Sequence, residues 1–200
     1  AALYVADNPD RVDRIIFDGP GSIPPVHYQL ARLAPPDSLD LRQPYYSNRQ
    51  GNEVANNIRS RFMMFCARQF GKKLAGDTEA DDFGGYLMSW VDRSTVADTS
   101  LLPKVLRPAA GIGYYDGLMT VASFPRTPDP RPRLRTLSTP VLVMRGQYDN
   151  QPWGYANEYL QLFAHHQLII IPAAGHNGVS REHHDLFYPT VRNFLKNKDN

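Results

Sequence analysis

Cysteine is nearly missing from this sequence: Cys66 is the only one in 200 residues, so neither an intrachain disulfide nor a thiolate zinc site can form. Cys66 reads as a small buried apolar residue. Long apolar runs are missing too. Nothing approaches the ~20 consecutive apolar residues of a membrane span, and no membrane partner is expected. Charge of one sign is not in surplus, since 22 Lys and Arg face 20 Asp and Glu for a net +2. The basic residues Arg11, Arg14, Arg59, Arg61, Arg126 and Arg131 are scattered, which excludes the concentrated positive face that nucleic acid requires. A small or neutral partner is expected instead. No repeat or low-complexity tract occurs, and 42% hydrophobic with 21% charged residues suffices for one sizeable core. The expected location is cytoplasmic.

What is present is an alternation of strands and helices at both ends of the chain. Ala1 to Pro9 reads as the last turns of a helix stopped by proline. Arg14-Ile15-Ile16-Phe17 reads as a short strand closed by Asp18-Gly19-Pro20-Gly21. From about Ser22 to Ser138, prolines cluster at both ends and no comparable strand appears. Residues 59–70 and 83–91 carry apolar side chains at helical spacing (Phe62, Phe65, Cys66; Tyr86, Leu87, Trp90), which predicts a mostly helical insertion. Val141-Leu142-Val143-Met144 predicts a second buried strand running into Arg145-Gly146-Gln147-Tyr148-Asp149. A helix should follow, capped by Asp149 or Asn150, with Pro152 in its first turn and Tyr155, Tyr159, Leu160 and Phe163 on one face. Leu168 to Ile171 predicts a third strand, and a closing helix turns Phe187, Val191, Phe194 and Leu195 inward. Continuously apolar strands alternating with helices mean parallel pairing covered on both faces, a doubly wound α/β sheet.

In such sheets functional groups collect beyond the carboxyl ends of the strands. Asp149 and His176 each fall a few residues after an apolar strand, in consecutive strand-loop-helix units. A carboxylate beside an imidazole fixes the tautomer and stabilises the imidazolium formed when the other ring nitrogen takes a proton. The pair is a general base in search of a nucleophile.

The stretch Pro140 to Asp149, followed by Leu168-Ile169-Ile170-Ile171-Pro172-Ala173-Ala174-Gly175-His176, resembles the final strands of α/β-hydrolases, proline-iminopeptidase-like members in particular. Leu3 to Ile16 resembles the segment after the nucleophile elbow in that family. The likeness covers roughly a third of the chain, at both ends. It implies a core over 1–21 and 139–200, a mostly helical lid over 22–138, Asp149 as triad acid and His176 as base. The nucleophilic serine would sit on a G-x-S-x-G turn. No such motif occurs in these residues, so the serine and central strands are expected from a segment before residue 1 or from a second polypeptide. The implied reaction is cleavage of an ester, amide or N-terminal peptide bond through an acyl-enzyme, on a small-molecule or short-peptide substrate, with no cofactor or metal. Two other readings stay open: a non-catalytic binding protein on the same fold, and an acyl-enzyme transferase or cyclase.

Asp18 is the rival acid, since some relatives of this fold place theirs after the equivalent strand. His165, His166, His183 and His184 read as surface residues. Trp90, Tyr114, Tyr115 and Trp153 are candidates to line an apolar substrate pocket, with core packing as the alternative for each. An aminopeptidase would need a lid carboxylate for the substrate ammonium, and Glu53, Glu79, Asp81, Asp82, Asp92 and Asp116 are the candidates. Ser22 superficially resembles a nucleophile turn, but Ile23-Pro24-Pro25 cannot begin the helix an elbow requires.

Overall fold

The computed structural model describes residues 1–44, 57–98, 100, 113–176 and 183–196. Helix α1 (Ala2–Asp7) ends at Asn8, just before Pro9, as the restriction on a pre-proline residue requires. Strand β1 (Ile15–Asp18) comes next. Helices α2 (Ile58–Phe70), α3 (Asp77–Val91), α4 (Tyr114–Ser123) and the short α5 (Arg131–Leu134) follow. Then come β2 (Val141–Gly146), α6 (Trp153–Leu162), β3 (His166–Ile171) and α7 (His184–Lys196). No strand lies between β1 and β2 among the described residues. No helix among them is long and apolar enough to cross a membrane.

The three strands form one parallel sheet in the order β1-β2-β3, with Ile15 opposite Val141 and Val141 opposite His166. All six residues of β2 are buried, which explains an apolar run with no alternation: both faces are covered. On one face Ile15, Phe17, Val141 and Val143 pack with Tyr159, Leu162 and Phe163 around α6 and with Val5 of α1. Phe17 lies 4.4 Å from the Tyr159 ring and 5.9 Å from Phe163, and burial of one such side chain contributes about 1.5–3 kcal/mol. On the other face Leu142, Met144 and Ile171 meet Phe187, Val191 and Phe194 of α7. The doubly wound arrangement is therefore present.

Several local expectations shift. The strand β3 starts at His166, ahead of Leu168, because its first residues pair with Val141 and Leu142 at an exposed end. Helix α6 begins at Trp153 with Pro152 before it and no side-chain cap. Asp149 instead accepts the Gln151 N–H at 2.8 Å, closing a turn through its carboxylate. Its buried stripe runs through Trp153, Ala156, Tyr159 and Leu162, while Tyr155 and Leu160 are half-buried. In α7, Leu195 points to solvent. Helix α3 starts six residues earlier than the spacing predicts.

Helices α2, α3 and α4 share a separate cluster of Met63, Ala75, Ala80, Leu87, Tyr114 and Tyr115. Here the predicted inner face of α2 is rotated. Ser60, Met63 and Cys66 are buried, whereas Phe62 and Phe65 are 58% and 50% exposed. Apolar residues occupy more than one side of this helix, so periodicity alone leaves the burying face open. Arg131, almost fully buried, joins α5 to α6 through Glu158 at 2.7 Å and to the chain after β1 through the Ile23 carbonyl at 2.9 Å.

Candidate active site

All three strands end at one place. Beyond β2, the Gln147 and Tyr148 amides donate to the Ile171 and Ala174 carbonyls at 2.9 and 2.8 Å, which holds the loops after β2 and β3 side by side. That approach requires Gly146, because a Cβ there would collide with the Ala174 and Gly175 carbonyl oxygens. The two loops carry Asp149 and His176, with Asp149 Oδ1 and His176 Nδ1 3.0 Å apart. The Asp149 side chain is fully buried and that of His176 is 26% exposed, so the acid is shielded while the imidazole reaches the surface of the chain.

The end of β1 forms the floor. Gly19 has a φ of +54°, and a Cβ there would lie 2.8 Å from His176 Nδ1 and Cε1. Only glycine meets both demands, the left-handed backbone and the space for the ring. Beside it, Asp18 sits near both charges. Crowding by the protein raises its carboxyl pKa, His176 opposes the rise and Asp149 adds to it. Asp18 makes no hydrogen bond to His176 among the described residues, and the bonded acid is Asp149.

His176 has a pKa raised above its ordinary 6.5, first by the Asp149 hydrogen bond, with burial opposing and the charges of Asp149 and Asp18 adding. The Asp149-bearing turn is held from beneath by Arg145, whose Nη2 donates to the Asp149 and Gln151 carbonyls at 3.2 and 2.5 Å. Burial pushes the Arg145 guanidinium down, and its Nε and Nη1 find no partner among the described residues.

A fourth segment closes the group. Asn150 Nδ2 donates to Ser94 Oγ at 2.8 Å, and a Cβ on Gly175 would collide with the Thr95 carbonyl oxygen. Ser94 to Ala97 are all buried, so the stretch after α3 touches the neighbours of both Asp149 and His176. Gly19, Arg145 and Asn150 drew notice in the sequence only as turn, strand-end and cap residues, and Ser94 drew none, so their part in the site went unread. The Asp18-Gly19-Pro20-Gly21 turn signalled a glycine at a strand end, but its partner lies far along the chain.

The other candidates are placed elsewhere. Trp153 packs in the sheet's core cluster, and Tyr114 and Tyr115 pack in the helical one; the Tyr115 hydroxyl accepts the Ala75 N–H at 3.2 Å. Core packing is what the structure shows for these three rings. The side chains of Trp90, Asp92 and His184, and the whole of Glu53, lie outside the described residues. Among the carboxylates considered for a substrate ammonium, Glu79 pairs with Arg59 at 2.9 Å and Asp81 accepts the Tyr114 N–H at 2.7 Å. The chain after Ser22 is irregular, with no helix following it directly. His166 Nδ1 lies 2.7 Å from the Phe163 carbonyl at the opposite end of the sheet. Among the described residues no group of three His, Cys, Asp or Glu is arranged to hold a metal ion.

The profile of a family described as the alpha/beta hydrolase fold matches residues 1–181. No curated protein matches the sequence. Among solved structures, an alpha/beta fold family hydrolase from Bacillus anthracis str. Sterne is 17% identical with a TM-score of 0.57, over 98% of this chain and 63% of that one. MenH from S. aureus is 17% identical with a TM-score of 0.54, again over 98% and 63%. Likeness at this identity is one of fold, and the chain spans less than two thirds of the length of these two structures.

Proposed function

The chain belongs to the α/β-hydrolase fold family, and from that premise we propose that Asp149 and His176 are the acid and base of a serine-hydrolase triad. The observation that carries this reading is the 3.0 Å contact between a fully buried carboxylate and a part-exposed imidazole at adjacent strand ends. With Nδ1 engaged by Asp149, Nε2 is the nitrogen left to take a proton from a nucleophile. The nucleophile attacks the substrate carbonyl, its proton passes to His176, and the imidazolium then protonates the leaving group as the acyl-enzyme forms. Water, deprotonated by the same nitrogen, releases the acid. No metal or cofactor enters these steps.

The serine belongs, in this proposal, to a segment outside these 200 residues, supplied by the same protein or by a second polypeptide. The lengths of the two similar structures support that reading. The stretch from 22 to 138 acts as the lid over a small-molecule or short-peptide substrate, and the bond cleaved is an ester, an amide or an N-terminal peptide bond. An aminopeptidase of the proline-iminopeptidase kind is the narrower version. Glu79 and Asp81 are already engaged within the helices, which leaves, among the candidates whose side chains are described, the exposed Asp82 and Asp116 for a substrate ammonium.

Hydrolysis of 4-nitrophenyl esters and of aminoacyl-4-nitroanilides by the full-length protein tests this. His176→Ala should lower kcat by about 10⁶-fold, with KM little changed. Turnover that survives His176→Ala within a few fold would remove the triad reading.

A further inference from the structure

Between α2 and α4 runs an open groove of about 410 Å³ lined by Ser60, Arg61, Met64, Phe65, Arg68, Gln69 and Leu118. Its volume falls within the range of small-ligand sites. It shares no residue with the group around Asp149 and His176. Its polarity has an order dictated by the helix. Arg61, Phe65 and Arg68 follow one another at helical spacing along one stripe, so the two arginines are two turns apart, about 10 Å along the axis. Ser60 and Arg61 form one end, Arg68 and Gln69 the other, and Met64, Phe65 and Leu118 are the apolar middle.

Three features show that this surface lacks a counterpart within the described chain. Neither Arg61 nor Arg68 forms an ion pair among the described residues. Helix α2 contains no acidic residue to neutralise them. Ser60 is 4% exposed, yet its Oγ has no hydrogen-bond partner among the described residues, and a buried hydroxyl without a partner is costly. Phe65, half exposed at the centre, adds apolar surface that an aliphatic chain would cover.

From this pattern we infer that the groove binds an α,ω-dicarboxylate of medium chain length. One carboxylate meets Arg61 and the Ser60 hydroxyl, the other meets Arg68 and the Gln69 amide, and the methylene chain lies over Met64, Phe65 and Leu118. Guanidinium groups suit carboxylates because their planar donor forks match the two oxygens. The spacing selects length: succinate is too short to span two helical turns, whereas suberate approaches that span. Octanoate has a comparable chain but a single charge.

Isothermal titration calorimetry on the full chain at low salt tests the site with succinate, suberate and octanoate. Suberate should bind saturably, about fivefold or more tighter than either of the others. Arg61→Gln and Arg68→Gln should each bring suberate to the level of octanoate, with the circular dichroism spectrum unchanged. Removing the same charge from exposed arginines elsewhere, Arg32→Gln or Arg135→Gln, should leave suberate binding as it was. No saturable binding, equal affinity for suberate and octanoate, or insensitivity to both groove substitutions would overturn the inference. The outcome does not depend on the triad reading, because none of these measurements uses turnover.

Discussion

At the residue scale the site rests on small distances that single substitutions change. Gly19→Ala places a methyl group where the His176 ring lies and forces an L side chain to a φ of +54°. The expected loss is about 1–3 kcal/mol of stability, read by urea unfolding, together with displacement of the His176 resonances. The dyad also sets a pH dependence of folding. His176 has a folded-state pKa above its ordinary 6.5, so its contribution to stability is complete below the unfolded pKa and is lost as pH rises through the folded one. Unfolding curves from pH 5 to 9 should show that decline in the native protein and a smaller one in Asp149→Asn. NMR titration ranks the two neighbouring acids: Asp149→Asn should lower the His176 pKa more than Asp18→Asn does, because Asp149 adds a hydrogen bond to its charge. The reverse order would make Asp18 the acid. Asp149 and His176 were legible in the sequence because each closely follows an apolar strand. Gly19 was not, since what demands glycine there is an imidazole contributed by the far end of the chain.

At the element scale, packing decides what pattern leaves open. The strands were legible because Val141-Leu142-Val143 and Leu168-Ile169-Ile170 have no polar face to offer. The inner face of α2 was not, because Phe62 and Phe65 are as apolar as Met63 and Cys66, and the neighbouring helices α3 and α4 make the choice. Buried polar links between elements were equally invisible. Arg131 and Glu158 are 3% and 8% exposed and doubly hydrogen-bonded, so Arg131→Met should cost about 3–5 kcal/mol by leaving Glu158 buried with its charge uncompensated. Replacing both, as Arg131→Met with Glu158→Leu, should recover most of that loss in thermal or denaturant unfolding. A milder loss of about 1 kcal/mol is expected for Asn150→Ala, which removes the bond to the buried Ser94 hydroxyl.

At the scale of the whole molecule, the β1 edge of the sheet carries no pairing strand among the described residues. The Ile15 and Gly19 amides donate to Pro140 and Met144 on the β2 side, so by alternation the Ile16 and Asp18 amides face away from β2. Under the proposed function, a strand of the nucleophile-bearing segment pairs there. Hydrogen exchange should then be fast at Ile16 and Asp18 in these 200 residues alone and slow in the full-length protein. The same account places the reactive serine outside these 200 residues and its base within them. Intact mass spectrometry after treatment of the full-length protein with a fluorophosphonate probe tests that claim most directly. One covalent adduct outside these 200 residues, on an upstream segment or a companion polypeptide, lost in His176→Ala, is the predicted result. An adduct that forms equally well in His176→Ala, or none on a protein whose G-x-S-x-G turn is confirmed, would contradict it.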